Sequence, residues 1–156
     1  VDAPKVRRAQ VSDIPELLRL RGVMFESMGY DVSESDWMVS ATARLKKNLP
    51  LSLIIGAAAP RGPGLGLCAA GLLDVREILG SPRFPMGNTG HIYSVAVDPQ
   101  WRRRGIGESV LRFLIDEART AGLERVELHA TPEAEPMYRR LGFHDRGGPV
   151  ELRLEL

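Results

Sequence analysis

Residues 98–118 read DPQWRRRGIGESVLRFLIDEA, and their reading decides the fold. Arg102, Arg103 and Arg104 run straight into Gly105-Ile106-Gly107. Apolar residues then recur at Val110, Leu111, Leu114, Ile115 and Ala118, the spacing of an amphipathic helix, with Gly122 as its natural stop. A helix N-terminus leaves about four backbone N–H groups without intrahelical partners. The helix dipole adds partial positive charge there, and together they form an anion site. Gly105 and Gly107 carry no side chain to block a phosphate and admit unusual backbone angles. The segment thus has the chemistry of a phosphate or pyrophosphate cradle. A dinucleotide fingerprint would need a third glycine where Val110 stands, and a Walker loop would need Gly-Lys-Ser/Thr, which is absent. Taken locally, a solvated basic turn ahead of a structural helix is the alternative.

The whole chain narrows the class. Its 156 residues predict one domain, spanning 1–156, large enough for a real core. Hydrophobic residues make up 44% and charged residues 26%, as in a globular domain. The net charge of +1 gives no global field for nucleic acid or a membrane surface. An RNA-binding patch would interleave aromatics with the arginines, whereas Trp101 alone is adjacent and Glu108 follows at once. No apolar run approaches the roughly 20 residues of a membrane span, and no signal-peptide core opens the sequence, so the expected location is cytoplasmic. The single cysteine, Cys68, lies in the apolar LGLCAAGLL and reads as a buried thiol. His91, His129 and His144 lack metal-ligand spacing, so no metal is expected.

Moving outward from 98–118, HIYSVAV (91–97) reads as the preceding strand. LSLIIGAAA (51–59) and LGLCAAGLLDV (65–75) read as antiparallel strands about a Pro/Gly loop, and 76–90 as an irregular connection. KVRRAQ (5–10) predicts a first strand. Residues 12–29 predict a helix, with Asp13 and Glu16 forming a capping box and Leu17, Leu20, Met24 and Met28 on one face. Ser33 or Ser35 opens a second helix carrying Trp37, Ala41 and Leu45, ended by Pro50. RVELHA (125–130) predicts a strand, EAEPMYRRLG (133–142) a helix, and the alternating VELRLEL (150–156) a half-buried last strand. The order β-α-α-β-β-β-α-β-α-β describes a mixed α/β or α+β domain with a mostly antiparallel sheet.

VAVDPQWRRRGIGESVL (95–111) resembles the acetyl-CoA-binding motif of the GNAT N-acetyltransferase superfamily, in which a strand and turn lead to Arg/Gln-x-x-Gly-x-Gly/Ala at a helix start. EPMYRRLGF (135–143) is similar to the family's second signature, a tyrosine, here Tyr138, four residues before Gly142-Phe143. The two motifs stand in the family's order, with one helix and one strand between them. The resemblance implies a mostly antiparallel sheet flanked by helices, with a splayed central strand pair. It implies acetyl-CoA as cosubstrate and a primary amine as acceptor, on a small molecule or a peptide. Nucleic acid and membrane are not expected as partners, and a homodimer stays open.

Roles carry over by position. The resemblance implies that Val95, Ala96 and Val97 bond pantetheine through their backbones, as an added strand would. It implies that N–H groups of the Arg103–Glu108 loop, Ile106 among them, hold the pyrophosphate. The side chains of Arg102, Arg103 and Arg104 either reach the 3′-phosphate or sit in water. Thr131 stands where many relatives carry an asparagine that helps hold coenzyme A. Tyr138 resembles the general acid that protonates the departing thiolate. His91 matches the position of a base glutamate in histone-type members, and an imidazole serves near neutral pH. Tyr93, two residues on, shares its face and is placed to order a water. Glu26 is a further candidate, and a water chain without a single base is the alternative. Glu26, Asp31, Glu34 and Asp36 predict an electronegative mouth suited to a cationic amine. The expected activity is direct acetyl transfer to an amine. The rivals are a non-catalytic acyl-CoA sensor of the same fold and a nucleic-acid-binding module.

Overall fold

The computed structural model describes residues 3–156. Strands β2 (Ile54–Pro60) and β3 (Leu67–Glu77) are apolar on nearly every residue, a pattern that needs cover on both faces of a sheet. Both faces are covered. On one side Ile55, Ala57, Ala59, Cys68 and Leu73 pack against α3 (Ile106–Thr120) through Val110, Leu111 and Leu114. On the other, Ile54, Ala58, Ala70 and Leu72 pack against Leu17, Leu18 and Leu20 of α1 (Ile14–Ser27) and Leu45 of α2 (Asp36–Asn48). Gly71 lets α3 approach closely: a Cβ there would lie 2.9 Å from Val110 and 3.0 Å from Leu114.

The sheet has five strands in the order β1-β2-β3-β4-β5. β1 (Arg7–Arg8), β2, β3 and β4 (Asn88–Val97) pair antiparallel, and β5 (Arg125–Glu127) pairs parallel to β4. α4 (Glu135–Arg140) follows β5. This is the expected mixed, mostly antiparallel sheet flanked by helices. No helix of the described residues is long and apolar enough to cross a membrane.

A bulge sits in β4. Leu72 pairs Tyr93 while Ala70 pairs Ala96, so β4 holds one extra residue opposite Gly71. Ser94 supplies it with a left-handed φ of 55°. Because side chains alternate with period two, the insertion resets the faces. Ile92 before the bulge and Val95 and Val97 after it all meet the α3-side core, while Tyr93 and Ala96 meet the α1-side core.

Several expectations are corrected. The first strand shrinks to two residues because only Arg7 and Arg8 find partners on β2. The Asp13–Glu16 capping box does not form: Asp13 accepts from the Gln10 N–H at 2.7 Å and pairs with Arg7, while Glu16 takes the Leu67 N–H and Arg19. Met28 is exposed past the end of α1. The 76–90 connection is shorter than expected, because β3 runs to Glu77 and β4 starts at Asn88. β5 stops at Glu127 and α4 starts at Glu135, each shorter than expected. Residues 150–156 form no strand, and Val150, Leu152, Leu154 and Leu156 are exposed. Alternation marks which face would be buried but supplies no ladder partner, and a strand requires one.

The end of β4 is fixed by a buried charge. Asp98 is 3% exposed and receives Arg19 of α1 at 2.9 and 3.0 Å, together with Arg61 of the β2–β3 loop. Burial raises the Asp98 carboxyl, but the hydrogen bonds from Arg19 and Arg61 outweigh it and leave the pKa below the ordinary value. Its stabilisation is therefore full above the unfolded carboxyl pKa of about 4 and is lost as pH falls through the lower folded value. Asp98→Ala removes the buried carboxylate shared by two half-buried guanidiniums, while Arg19 keeps Glu16 and Arg61 keeps the Leu67 carbonyl, and should lower unfolding free energy by about 2 kcal/mol at neutral pH. In urea denaturation the gap from wild type should close below about pH 4. Equal stability at neutral pH would show that the cluster holds nothing.

Candidate functional site

β4 is bonded to β3 along its length but to β5 only from Thr89 to His91. Beyond His91 the two strands part, and among the described residues Ile92–Val97 have no strand on that side. The expected splay is therefore present, with Val95, Ala96 and Val97 lining it. Val95 and Val97 are half-buried against the α3-side core, so their side chains pack while the backbone faces the gap.

The basic turn lies at the far end of this gap. Arg103 has φ 60° and Gly105 φ 75°, two left-handed residues that turn successive N–H groups the same way. Gly105 caps α3 without a side-chain bond, and the first helical bond recorded runs from Ser109 N–H to Gly105 O at 3.1 Å. The N–H groups of Ile106, Gly107 and Glu108 are the unpaired donors a helix start leaves. A Cβ on Gly105 would meet nothing within 4 Å, so the space before the cradle is open. One on Gly107 would touch Val97 at 3.5 Å and Met137 at 4.0 Å, ordinary contact. These groups fit a pyrophosphate.

All three arginines of the turn are exposed, and two of them also bond the backbone. Arg102 donates to Val97 O at 3.1 Å; Arg104 donates to Gln100 O at 3.2 Å and lies 5.1 Å over the Trp101 ring. Arg103 is exposed. Glu108, a carboxylate beside an anion cradle, is engaged by Arg112 at 3.0 Å, which reduces its repulsion.

His91 stands where the strands part, opposite Asp74 on β3 and Glu127 on β5. Its ring stacks on Tyr93 at 5.9 Å and lies 5.4 Å from His129. Burial lowers its pKa, helped by Arg76 and His129 and opposed by Asp74 and Glu127. Tyr93 donates its hydroxyl to Asp74 at 2.7 Å, and burial with that bond pushes its pKa well up. Its proton is committed, so only lone pairs remain to hold a water. His129 meets Glu151 at 3.1 Å.

Tyr138 on α4 is buried in the α3-side core, edge-on to Phe143 at 5.9 Å. Burial alone raises its pKa, so the phenol keeps its proton at neutral pH. Thr131 opens the turn into α4, its carbonyl accepting from Ala134 and Glu135 at 3.1 and 3.0 Å. With Pro132, Glu133, Ser27 and Met28 it lines a pocket of about 490 Å³ between the end of α1 and this turn. Glu26 is exposed near that end of α1, and Asp31, Glu34 and Asp36 are exposed as well, the solvated state of helix-junction acids. The geometry thus gathers His91 and Tyr93 at the fork and the Arg102–Glu108 loop at its far end, while Glu26 stands in solvent. The structure adds Asp74, His129 and Arg21 to the wall. Arg21 was signalled only by its place between Leu17 and Phe25 at four-residue steps. Among the described residues no cluster of His, Cys, Asp and Glu could hold a metal.

Comparison with known proteins matches residues 64–143 to the acetyltransferase (GNAT) family. The probable glucosamine 6-phosphate N-acetyltransferase 2 of Oryza sativa subsp. japonica is 36% identical over 96 residues, covering 61% of this chain and 55% of that protein. The mycothiol acetyltransferase of Gordonia bronchialis is 33% identical over 134 residues, covering 82% of this chain and 41% of that protein. The chain spans about half the length of the curated relatives it matches. Among solved structures, an acetyltransferase with acetyl-CoA from Clostridium acetobutylicum superposes with a TM-score of 0.84 at 22% identity, covering 95% of this chain and 94% of that one, a likeness of fold.

A side chain at position 107 tests the cradle. Gly107→Ala should bind acetyl-CoA within a few-fold of wild type, since its Cβ meets only ordinary contacts. Gly107→Glu, with bulk and a negative charge at the free N–H groups, should abolish binding by calorimetry, and Arg103→Ala should be milder. Unchanged affinity in a folded Gly107→Glu protein would remove the cradle.

Proposed function

Because the chain belongs to the GNAT acetyltransferase family, we propose that it transfers the acetyl group of acetyl-CoA directly to a primary amine. The observation that carries this reading is the parting of β4 from β5 immediately after His91, with the left-handed Arg103–Gly105 turn at the other end of the gap. That arrangement supports pantetheine amides bonding the strand backbone left without a strand partner and the pyrophosphate meeting the helix N–H groups, with the thioester near the fork. Much of the rate then comes from holding two reactants together.

The step balances as follows. The amine nitrogen attacks the thioester carbonyl, a C–N bond forms, and the C–S bond breaks. The amine proton goes to His91, directly or through a water held by Tyr93. The thiolate takes a proton from Tyr138, whose burial keeps it protonated until then. Thr131 borders the pocket beside α1, at the turn into α4. The acceptor enters between α1 and the fork, with Glu26 at its outer edge. A sensor of the same fold would bind acetyl-CoA and release no coenzyme A with any amine, and a nucleic-acid module would bind with a steep salt dependence.

Two variants separate catalytic from packing roles. Tyr138→Phe should lower kcat by about 10²-fold or more with acetyl-CoA affinity little changed; wild-type kcat would make the tyrosine a core residue only. For His91, burial lowers the pKa, so kcat/KM should rise with pH through a midpoint below the ordinary histidine value of about 6.5. His91→Ala should lose that limb. Measured with two amines of different pKa, a limb that follows the amine in both proteins would take His91 out of the mechanism.

A further inference from the structure

Arg21 is a cation where its helix calls for an apolar side chain. It follows Leu17 and precedes Phe25 at four-residue steps, on the face of α1 that turns to β4. Its guanidinium lies 4.6 Å from the centroid of Phe25 and 5.6 Å from that of Tyr93, half-buried. Burial pushes its pKa below the ordinary arginine value, yet a guanidinium stays charged at any physiological pH. Asp74, whose charge reaches it, is already engaged by the Tyr93 hydroxyl at 2.7 Å and by Arg76 at 3.3 Å. Among the described residues Arg21 makes no hydrogen bond and no ion pair.

Arg19, two residues earlier on the same helix, shows what a structural arginine looks like here. It pairs with Glu16 at 2.6 Å and with Asp98 at 2.9 Å. Partial desolvation of a charge without an anionic partner is unfavourable, and aromatic faces offset only part of that cost. The planar donor fork of Arg21 is thus held in place by Phe25 and Tyr93 but left without an acceptor. Tyr93 in turn stacks on His91 at 5.9 Å, so this free fork stands one ring away from the parting of the strands.

We propose that Arg21 reads an anionic group on the acceptor, so that the amine acetylated at this site also carries a phosphate or a carboxylate. The inference rests on the acetyl-transfer reading above and names the acceptor class for it. The amine sits at the fork by His91, and the anion reaches back along the α1 wall to the guanidinium. The exposed acids of the α1–α2 junction do not form this wall.

The test compares matched amines by coenzyme A release: glucosamine 6-phosphate with glucosamine, and alanine with alaninamide. In the wild type at least one pair should favour the anionic member by about tenfold or more in kcat/KM, the scale of a charge-assisted contact. Arg21→Gln should collapse that ratio toward one, and Arg21→Lys should restore part of it. Comparing ratios between proteins cancels the intrinsic reactivity of each amine, and the pair that responds identifies phosphate or carboxylate. A wild-type ratio near one in both pairs, or a ratio that survives Arg21→Gln because both members fall together, would overturn the inference. If Arg21→Gln does not fold, competition in the wild type decides. Glucose 6-phosphate or lactate, matching the responding pair, should raise KM for the acceptor while glucose or lactamide does not; no difference overturns it. Release with spermidine alone overturns this inference and leaves acetyl transfer standing. Release with no amine, acetyl-CoA binding being intact, overturns acetyl transfer and this inference with it.

Discussion

The parting of β4 and β5 is the constraint on which the rest of the molecule depends. A buried strand must satisfy its backbone groups on both edges. β4 does so against β3 throughout, but against β5 only over Thr89–His91. The remaining groups facing β5 need water or a ligand with amides of its own. The bulge at Ser94 acts at the same place. It turns Val95 and Val97 into the α3-side core, so the strand stays anchored by side chains where it has lost a backbone neighbour. Gly71 opposite the bulge lets Val110 and Leu114 press on that stretch from α3. The gap is therefore held open by packing on both sides of it.

The same packing orients the charges. α3 starts where β4 ends, so its free N–H groups face the mouth of the gap rather than bulk solvent alone. The positive character there has two sources, the free backbone N–H groups and three guanidinium charges, two of which also donate to the Val97 and Gln100 carbonyls. This division has a physical logic. Backbone donors fixed by a helix lose no side-chain entropy on meeting an anion, whereas a solvated arginine does.

Most of this architecture was legible in the sequence because it is written in local patterns. The apolar runs at 51–59 and 65–75 marked antiparallel strands, and Val110, Leu111, Leu114 and Ala118 marked the buried stripe of α3. The glycine turn was legible from its residues, and Tyr138 through the resemblance of 135–143 to a GNAT signature. What depended on register was not. The bulge at Ser94, the meeting of His91 with His129, and the bond from Tyr93 to Asp74 arise from strands far apart in sequence. Asp98 read as a strand terminator, and nothing local announced that Arg19 and Arg61 converge on it. Residues 150–156 failed in the opposite sense: their alternation is clear, but alternation alone forms no ladder. The acids at 26–36 predicted an electronegative mouth for a cationic amine, but all four stand exposed at the junction, while the half-buried charge of the wall is Arg21.

The Asp98 cluster ties the two halves of the site into one rigid frame. Arg19 reaches from α1 to Asp98, and Arg61 reaches the same carboxylate from the β2–β3 loop. Glu16 holds Arg19 from below and takes the Leu67 N–H, so α1 is bonded to β3 as well. Asp98 is the residue at which β4 turns toward the cradle, and its own N–H is bonded to Cys68 O at 2.8 Å. Arg21 and Phe25 lie two and six residues beyond Arg19 on α1, about half a turn and a little under two turns from this joint. A shift of α1 relative to β4 would therefore break charged bonds in a buried setting, where losing one partner is far costlier than at the surface. The distance from the α1 wall to the N–H groups of α3 is fixed by that cost. On the acetyl-transfer reading proposed above, a site holding an amine at one end of the strand gap and a pyrophosphate at the other depends on such a fixed span, because misplacing either reactant by about 1 Å forfeits much of the rate.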